Sequence, residues 1–217
     1  MPGLRWVLVP LGAAPVIALG FDTSLSSTGC ASAEVVDGGI RWSTQTVKGS
    51  AVSKHAGVLA EVLRLRSIVR DVIAFAPARF DICVVEGPAP TTTNSGKADE
   101  RAALRWMICE QLIDRGPIVL VDPQTRAVLA WGRGMPRRTK GQTSAQAKAP
   151  LLEAVRLAVP EASIPGHDVA DSVALARAGA HWLGAPVEYS DRQVSAHAAV
   201  AWPEKGGPVV SATTTKG

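Results

Sequence analysis

Three apolar runs, VIALGFD at 16–22, DICVVE at 81–86 and PIVLV at 117–121, are too short for helices and too hydrophobic for a wetted surface. Runs of this kind form strands buried in a sheet that helices cover, so they limit the chain to a layered α/β architecture. The first two end in an acid, Asp22 and Glu86, and a further acidic pair, Asp168 and Asp171, opens the helical stretch HDVADSVALA. A carboxylate beside a buried run must be paired or bind a metal, because burying its bare charge is costly.

Between these runs, SSTGCASAEVV and IRWSTQTV are joined at Asp37-Gly38-Gly39, the composition of a tight hairpin turn, and give a three-strand antiparallel beginning. Residues 53 to 76 place Val58, Val62, Leu65, Val69 and Val72 at intervals of four and three, one face of an amphipathic helix that Pro77 stops. Further helices are expected near 99–114, 123–131, 145–158 and 168–183, with Gly116 closing the second helix. The fold class is therefore α/β, a mixed five-stranded sheet with its first three strands antiparallel, flanked by helices. We expect a loosely ordered leader over 1–15, one domain over 16–184, and a partly disordered C-terminal extension over 185–217.

The leader is interrupted by prolines and lacks a clean cleavage site, which argues against a signal peptide, and no apolar stretch reaches transmembrane length. Cys30, Cys83 and Cys109 are odd in number and lack metal-ligand spacing, so buried reduced thiols and a cytoplasmic setting are expected. Trp106, Trp131 and Trp182 lie on predicted helices and are assigned to the core or an interface rather than to stacking on nucleic acid.

The net charge is only +4, but it is unevenly spread. No acid occurs between Asp122 and Glu153, whereas Arg126, Arg133, Arg137, Arg138, Lys140 and Lys148 all do, in a segment rich in Gly, Thr, Ser and Gln. A basic arm beside an acidic pocket suits a polyanion held by its phosphates; the plainer alternative is a solvated loop.

Asp168 and Asp171 are three residues apart, so both project from one face of a helix's first turn and repel unless a cation intervenes. Hard cations such as Mg²⁺ take a few carboxylate oxygens plus water and phosphate, and Asp22 and Glu86 supply the complement from strand ends. Two such ions stabilise the attacking and leaving oxygens of phosphodiester cleavage. Taken singly, each acid has a structural explanation as a cap, a dipole partner or a strand end at solvent. His167, at the start of the last helix, is a candidate assistant or a surface residue.

GFDTSLSSTG, then VVEGPAP, then the Lys of SAQAK, then HDVADSVALA resemble, in this order, the motifs of the RuvC-type Holliday junction resolvases of the RNase H-like or retroviral integrase superfamily. The likeness runs over residues 16 to 183 and is compatible with a phage-type branch. It implies a homodimeric endonuclease, dependent on Mg²⁺ (two ions, with Mn²⁺ as a substitute), that nicks opposed strands of a four-way DNA junction and leaves 5′-phosphates. Carried over position by position, Asp22, Glu86, Asp168 and Asp171 are the metal-binding acids and Lys148 the catalytic lysine at the scissile phosphate. Arg126 falls near a second basic position; with Arg133, Arg137, Arg138, Lys140 and Lys148 it makes the expected DNA-binding set. The loop GPAPTTTNSGK lacks the aromatic wedge of well-known members, and the basic loop at 132–147 is longer than usual.

Three alternatives compete. GFDTSLSSTG also resembles the phosphate hairpin of sugar kinases and actin-like ATPases, although a second domain and a second phosphate loop are missing. A non-catalytic binder of branched DNA, and an RNase H-like nuclease acting on flaps or RNA–DNA hybrids, fit the same residues.

Overall fold

The computed structural model describes residues 14–53, 55, 57–88 and 97–204. Most of the predicted leader, the centre of the loop after Glu86 and the end of the tail lie outside the described residues.

The hairpin prediction holds: β1 (Val16–Asp22), β2 (Ser27–Val36) and β3 (Gly39–Lys48) pair antiparallel in sequence, with Asp37 and Gly38 both at positive φ in the turn. β4 (Ile82–Glu86) then adds parallel to β1, and β5 (Ile118–Val121) parallel to β4, giving the order β3-β2-β1-β4-β5. Crossovers between these parallel strands are made by α1 (Val58–Phe75) and α2 (Ala98–Leu112), which lie on one face. The other face carries α3 (Pro123–Trp131), α4 (Ser144–Ala158), α5 (His167–Trp182) and α6 (Asp191–Ala198).

Side chains alternate across this sheet as the pleat requires. Leu19, Phe21, Cys83 and Val85 face α1 and α2, whereas Ala18, Ile82 and Val84 face α5. The free thiols Cys30, Cys83 and Cys109 are buried, and burial pushes Cys30 up to about 12, as expected of inert core cysteines. Helix α5 is buried over all of Val169–Ala180, because it lies between the sheet and α3, α4 and α6. Glycines permit that approach: a methyl on Gly20 would run into the backbone of Ser172 and Ala176, and one on Gly29 into the backbone of Asp168.

Two expectations shift. The amphipathic face assigned to residues 53–76 begins only at Val58, and Val58 and Val62 are exposed while Leu65, Ile68, Val69 and Val72 are buried. The extension after Gly184 contains α6, whose Ser190 backbone N–H donates to Gln193 Oε1 at 3.0 Å. Gln193 in turn donates from Nε2 to the Leu129 carbonyl at 2.8 Å, pinning α6 to α3. No helix among the described residues is long and apolar enough to cross a membrane.

Candidate functional site

The pleat that puts Ala18 and Val84 against α5 also turns Asp22 and Glu86 to that face, since each lies an even number of positions further along its strand. β1 and β4 are parallel neighbours with Phe21 opposite Val85, so the two acids, one residue beyond that pair, sit side by side. Asp171 meets them from the second turn of α5, and carboxylate oxygens of Asp22, Glu86 and Asp171 all lie within 4.8 Å of one another.

Asp168 is not part of this cluster. Its backbone carbonyl rests against Gly29 on β2, two strands from Glu86, although its charge still acts on Asp22. Three of the four predicted acids are therefore brought together and the fourth stands beside them.

Two cations hold the cluster. Arg126 pairs through its guanidinium with Asp171 and through Nε with Glu86 Oε2 at 2.8 Å. It is 1% exposed, so it lies inside the site rather than on the DNA-facing surface where the sequence pattern put it. Its placement follows from the cap of α3. Asp122 Oδ1 accepts from the backbone N–H of Gln124 at 2.9 Å and of Thr125 at 3.0 Å, and Pro123 occupies the first helical position, which sets the direction of the first turn. Lys148, half-buried on α4, brings Nζ to 3.5 Å from Asp171 Oδ2. The Thr143–Gln146 capping box fixes the start of that helix one turn before it.

Burial raises the Asp22 carboxyl well above its ordinary 3.8, the neighbouring Glu86 charge raises it further, and Arg126 opposes both. Glu86 Oε2 is buried and meets Arg126 Nε as an ion pair rather than through a well-directed hydrogen bond. Three converging carboxylates whose oxygens lie within 4.8 Å of one another, more negative charge than the two neighbouring cations offset, have the donor chemistry that a hard divalent cation takes. The residues present therefore fit a metal ion. His167 lies close enough for the Lys148 charge to act on it; burial first and that charge second hold its imidazole below the ordinary range.

The rest of the basic set is spread along the 132–143 loop. Arg133, Arg137, Arg138 and Lys140 are exposed there, with Arg133 stacked over Trp131 at 5.7 Å and Arg138 donating to the Gln142 carbonyl at 3.1 Å. The loop is tied to the site, since Met135 N–H donates to Gln124 Oε1 at 3.1 Å and Met135 Sδ lies 3.6 Å from the Arg126 guanidinium. Of the tryptophans, Trp106 is 58% exposed on α2. Trp131 and Trp182 are partly buried, and Trp182 stacks on Trp202.

Among solved structures, Thermus thermophilus RuvC in complex with a Holliday junction substrate superimposes with a TM-score of 0.51 at 17% identity, covering 74% of this chain and 90% of that one. A second structure of Thermus thermophilus RuvC gives the same score and identity, over 78% and 98% of the two chains. The fold is RuvC-like. No family model and no curated protein matches the sequence. The order of elements, three antiparallel strands extended by two parallel ones and covered by the acid-bearing helix α5, is the one the sequence implied, α6 apart.

Proposed function

We propose that this protein is a divalent-metal-dependent DNA endonuclease that resolves four-way junctions by paired nicks and leaves 5′-phosphates, working as a homodimer. The observation that carries this reading is the convergence of Asp22, Glu86 and Asp171 at the carboxyl ends of two parallel strands and on the facing helix. Support also comes from the RuvC-like fold around it and the exposed cations on the loop tied to it.

Asp22, Glu86 and Asp171 would hold the ion, and Asp168, whose charge acts on Asp22 from outside the cluster, would serve a second. Bound Mg²⁺, or Mn²⁺ in its place, supplies positive charge where the attacking and leaving oxygens of the phosphodiester become negative. Arg126 balances Glu86 and Asp171, which keeps three neighbouring carboxylates from repelling one another apart. Lys148 keeps a third of its side chain exposed beside Asp171, so its ammonium can meet a phosphate oxygen without leaving the cluster. Arg133, Arg137, Arg138 and Lys140 take up neighbouring phosphates and give affinity that falls with salt. Cleavage of labelled four-way junction, flap, linear duplex and RNA–DNA hybrid in Mg²⁺ tests this. Paired symmetric nicks in the junction are expected; cutting mainly of flap or hybrid keeps the site and replaces the substrate.

A further inference from the structure

A second polar recess lies on the opposite side of the sheet from Lys148. Ser24, Leu25 and Ser26, just past Asp22, form one wall; Gly49, Ser50 and Ala51, following β3, form another; Arg64 of α1 with Lys97 and Arg101 at the start of α2 closes it. Its volume is about 430 Å³. The walls are built to close tolerance: a methyl on Gly49 would strike the Leu25 carbonyl and approach Ile68 Cδ1 to 2.9 Å, and Gly49 N–H donates to the Ser26 carbonyl at 3.1 Å.

Its charge is not balanced from within. Glu61 pairs with both Lys97 at 2.9 Å and Arg64 at 2.5 Å, one carboxylate against two cations. The Arg64 side chain is 7% exposed, and its Nε is buried with no hydrogen-bond partner. A buried guanidinium donor is costly unless an acceptor meets it, and three serines bordering the same recess add hydroxyl donors. An anion with several oxygens satisfies all of these groups, and planar guanidinium groups suit phosphate oxygens in particular.

We propose that this recess is a phosphate subsite for the DNA strand being cut, taking a backbone phosphate next to the one at the acidic cluster. The inference rests on the nuclease reading above. Because Asp22 ends β1 and Ser24 already borders the recess, a strand whose scissile phosphate lies over the acids passes from Lys148 on the α4 side to Arg64 and Arg101 on the α1–α2 side. Engaging both points fixes the direction of the strand across the site, which one lysine does not.

The test compares wild type, Arg64→Gln, Arg101→Glu and the remote control Arg41→Gln, the last on the exposed edge strand β3. Binding to a labelled four-way junction is measured in EDTA over a series of salt concentrations, with thermal melts to establish that each variant is folded. Both recess variants are expected to bind roughly three- to tenfold more weakly and to show a salt slope shallower by about 1, with Arg41→Gln like wild type. If folded Arg101→Glu keeps wild-type affinity and slope, the subsite is overturned while the nuclease reading stands. Inorganic phosphate is titrated in parallel and followed by NMR. If wild type binds no branched DNA yet phosphate shifts the amides of Ser24, Ser50 and Arg101, and does not in Arg101→Glu, the recess is a phosphate site but its assignment to the cut strand is overturned together with the junction reading.

Discussion

The two faces of the sheet are covered by helices of opposite character. On one, α5 is enclosed all round, locked to β1 and β2 through Gly20 and Gly29, and carries Asp171 into contact with Arg126. On the other, α1 and α2 are only half covered, leaving Val58, Leu59, Val62 and Leu63 of α1 and Trp106 of α2 exposed. The face that holds the acidic cluster is thus the face least able to repack, as a site needing carboxylates at fixed separation requires. The other face borders the acids through loops and helix starts, where surfaces adjust at small cost.

That contrast can be broken by substitution. Arg126→Met should be the most damaging, because it strips half-buried Glu86 of its cation and leaves buried Asp171 with Lys148 alone at 3.5 Å, at a cost of about 3–5 kcal/mol. If the metal reading holds, Mg²⁺ should raise the melting temperature of this variant by more than that of wild type, since the ion supplies the missing charge. Equal shifts would show that the guanidinium and the ion do not serve the same carboxylates. Gly20→Val should come next, at about 3 kcal/mol, since the added carbons meet helix backbone that has nowhere to move. A chemical denaturation midpoint near that of wild type would show that α5 is less tightly seated than described.

Asp22→Asn should act in the reverse direction on stability. A carboxyl whose folded pKa is raised favours the folded state while protonated, and that contribution is lost as pH rises from its ordinary 3.8 through the raised folded value. In metal-free buffer the amide variant should therefore gain on wild type as pH rises, and thermal melts between pH 5 and 8 should show the gap widening. A constant gap would place the Asp22 carboxyl in a wetter, more ordinary environment. The smallest effects belong to the α1–α2 face: Val62→Ser and Trp106→Ser should each change stability by no more than about 0.5 kcal/mol in the monomer. A larger loss that depends on protein concentration would assign this face to a subunit contact.

Much of this was legible from period and punctuation. The acid at the end of each apolar run marks Asp22 and Glu86 as strand-end groups, and the three-residue spacing of Asp168 and Asp171 puts both on one side of a helix start, whereas the shared face of Asp22 and Glu86 follows from the β1–β4 register. Spacing along a helix does not say which acid of such a pair faces the strand ends. Asp171 reaches them, while Asp168, one turn earlier, lies over Gly29. Arg126 belongs by composition to a basic stretch, and its burial is set by the Asp122 cap and by packing from α5, which no local pattern reveals. Helix α6 escaped because its apolar content is low, yet Ser190 and Gln193 stand three apart in the spacing of a capping box, a signal available in the sequence. What holds α6 is distant in the chain: Gln193 reaches the Leu129 carbonyl and His197 contacts the Ala178 carbonyl at 3.0 Å.

The most direct measurement is Mg²⁺-dependent cleavage of a labelled four-way junction by wild type and Asp22→Asn, with junction binding measured on the same preparations. Paired nicks by wild type, reduced at least about a thousandfold in the variant while binding is retained, are the predicted result. Undiminished cleavage by a folded Asp22→Asn protein would contradict the assignment of the acidic cluster as the catalytic centre.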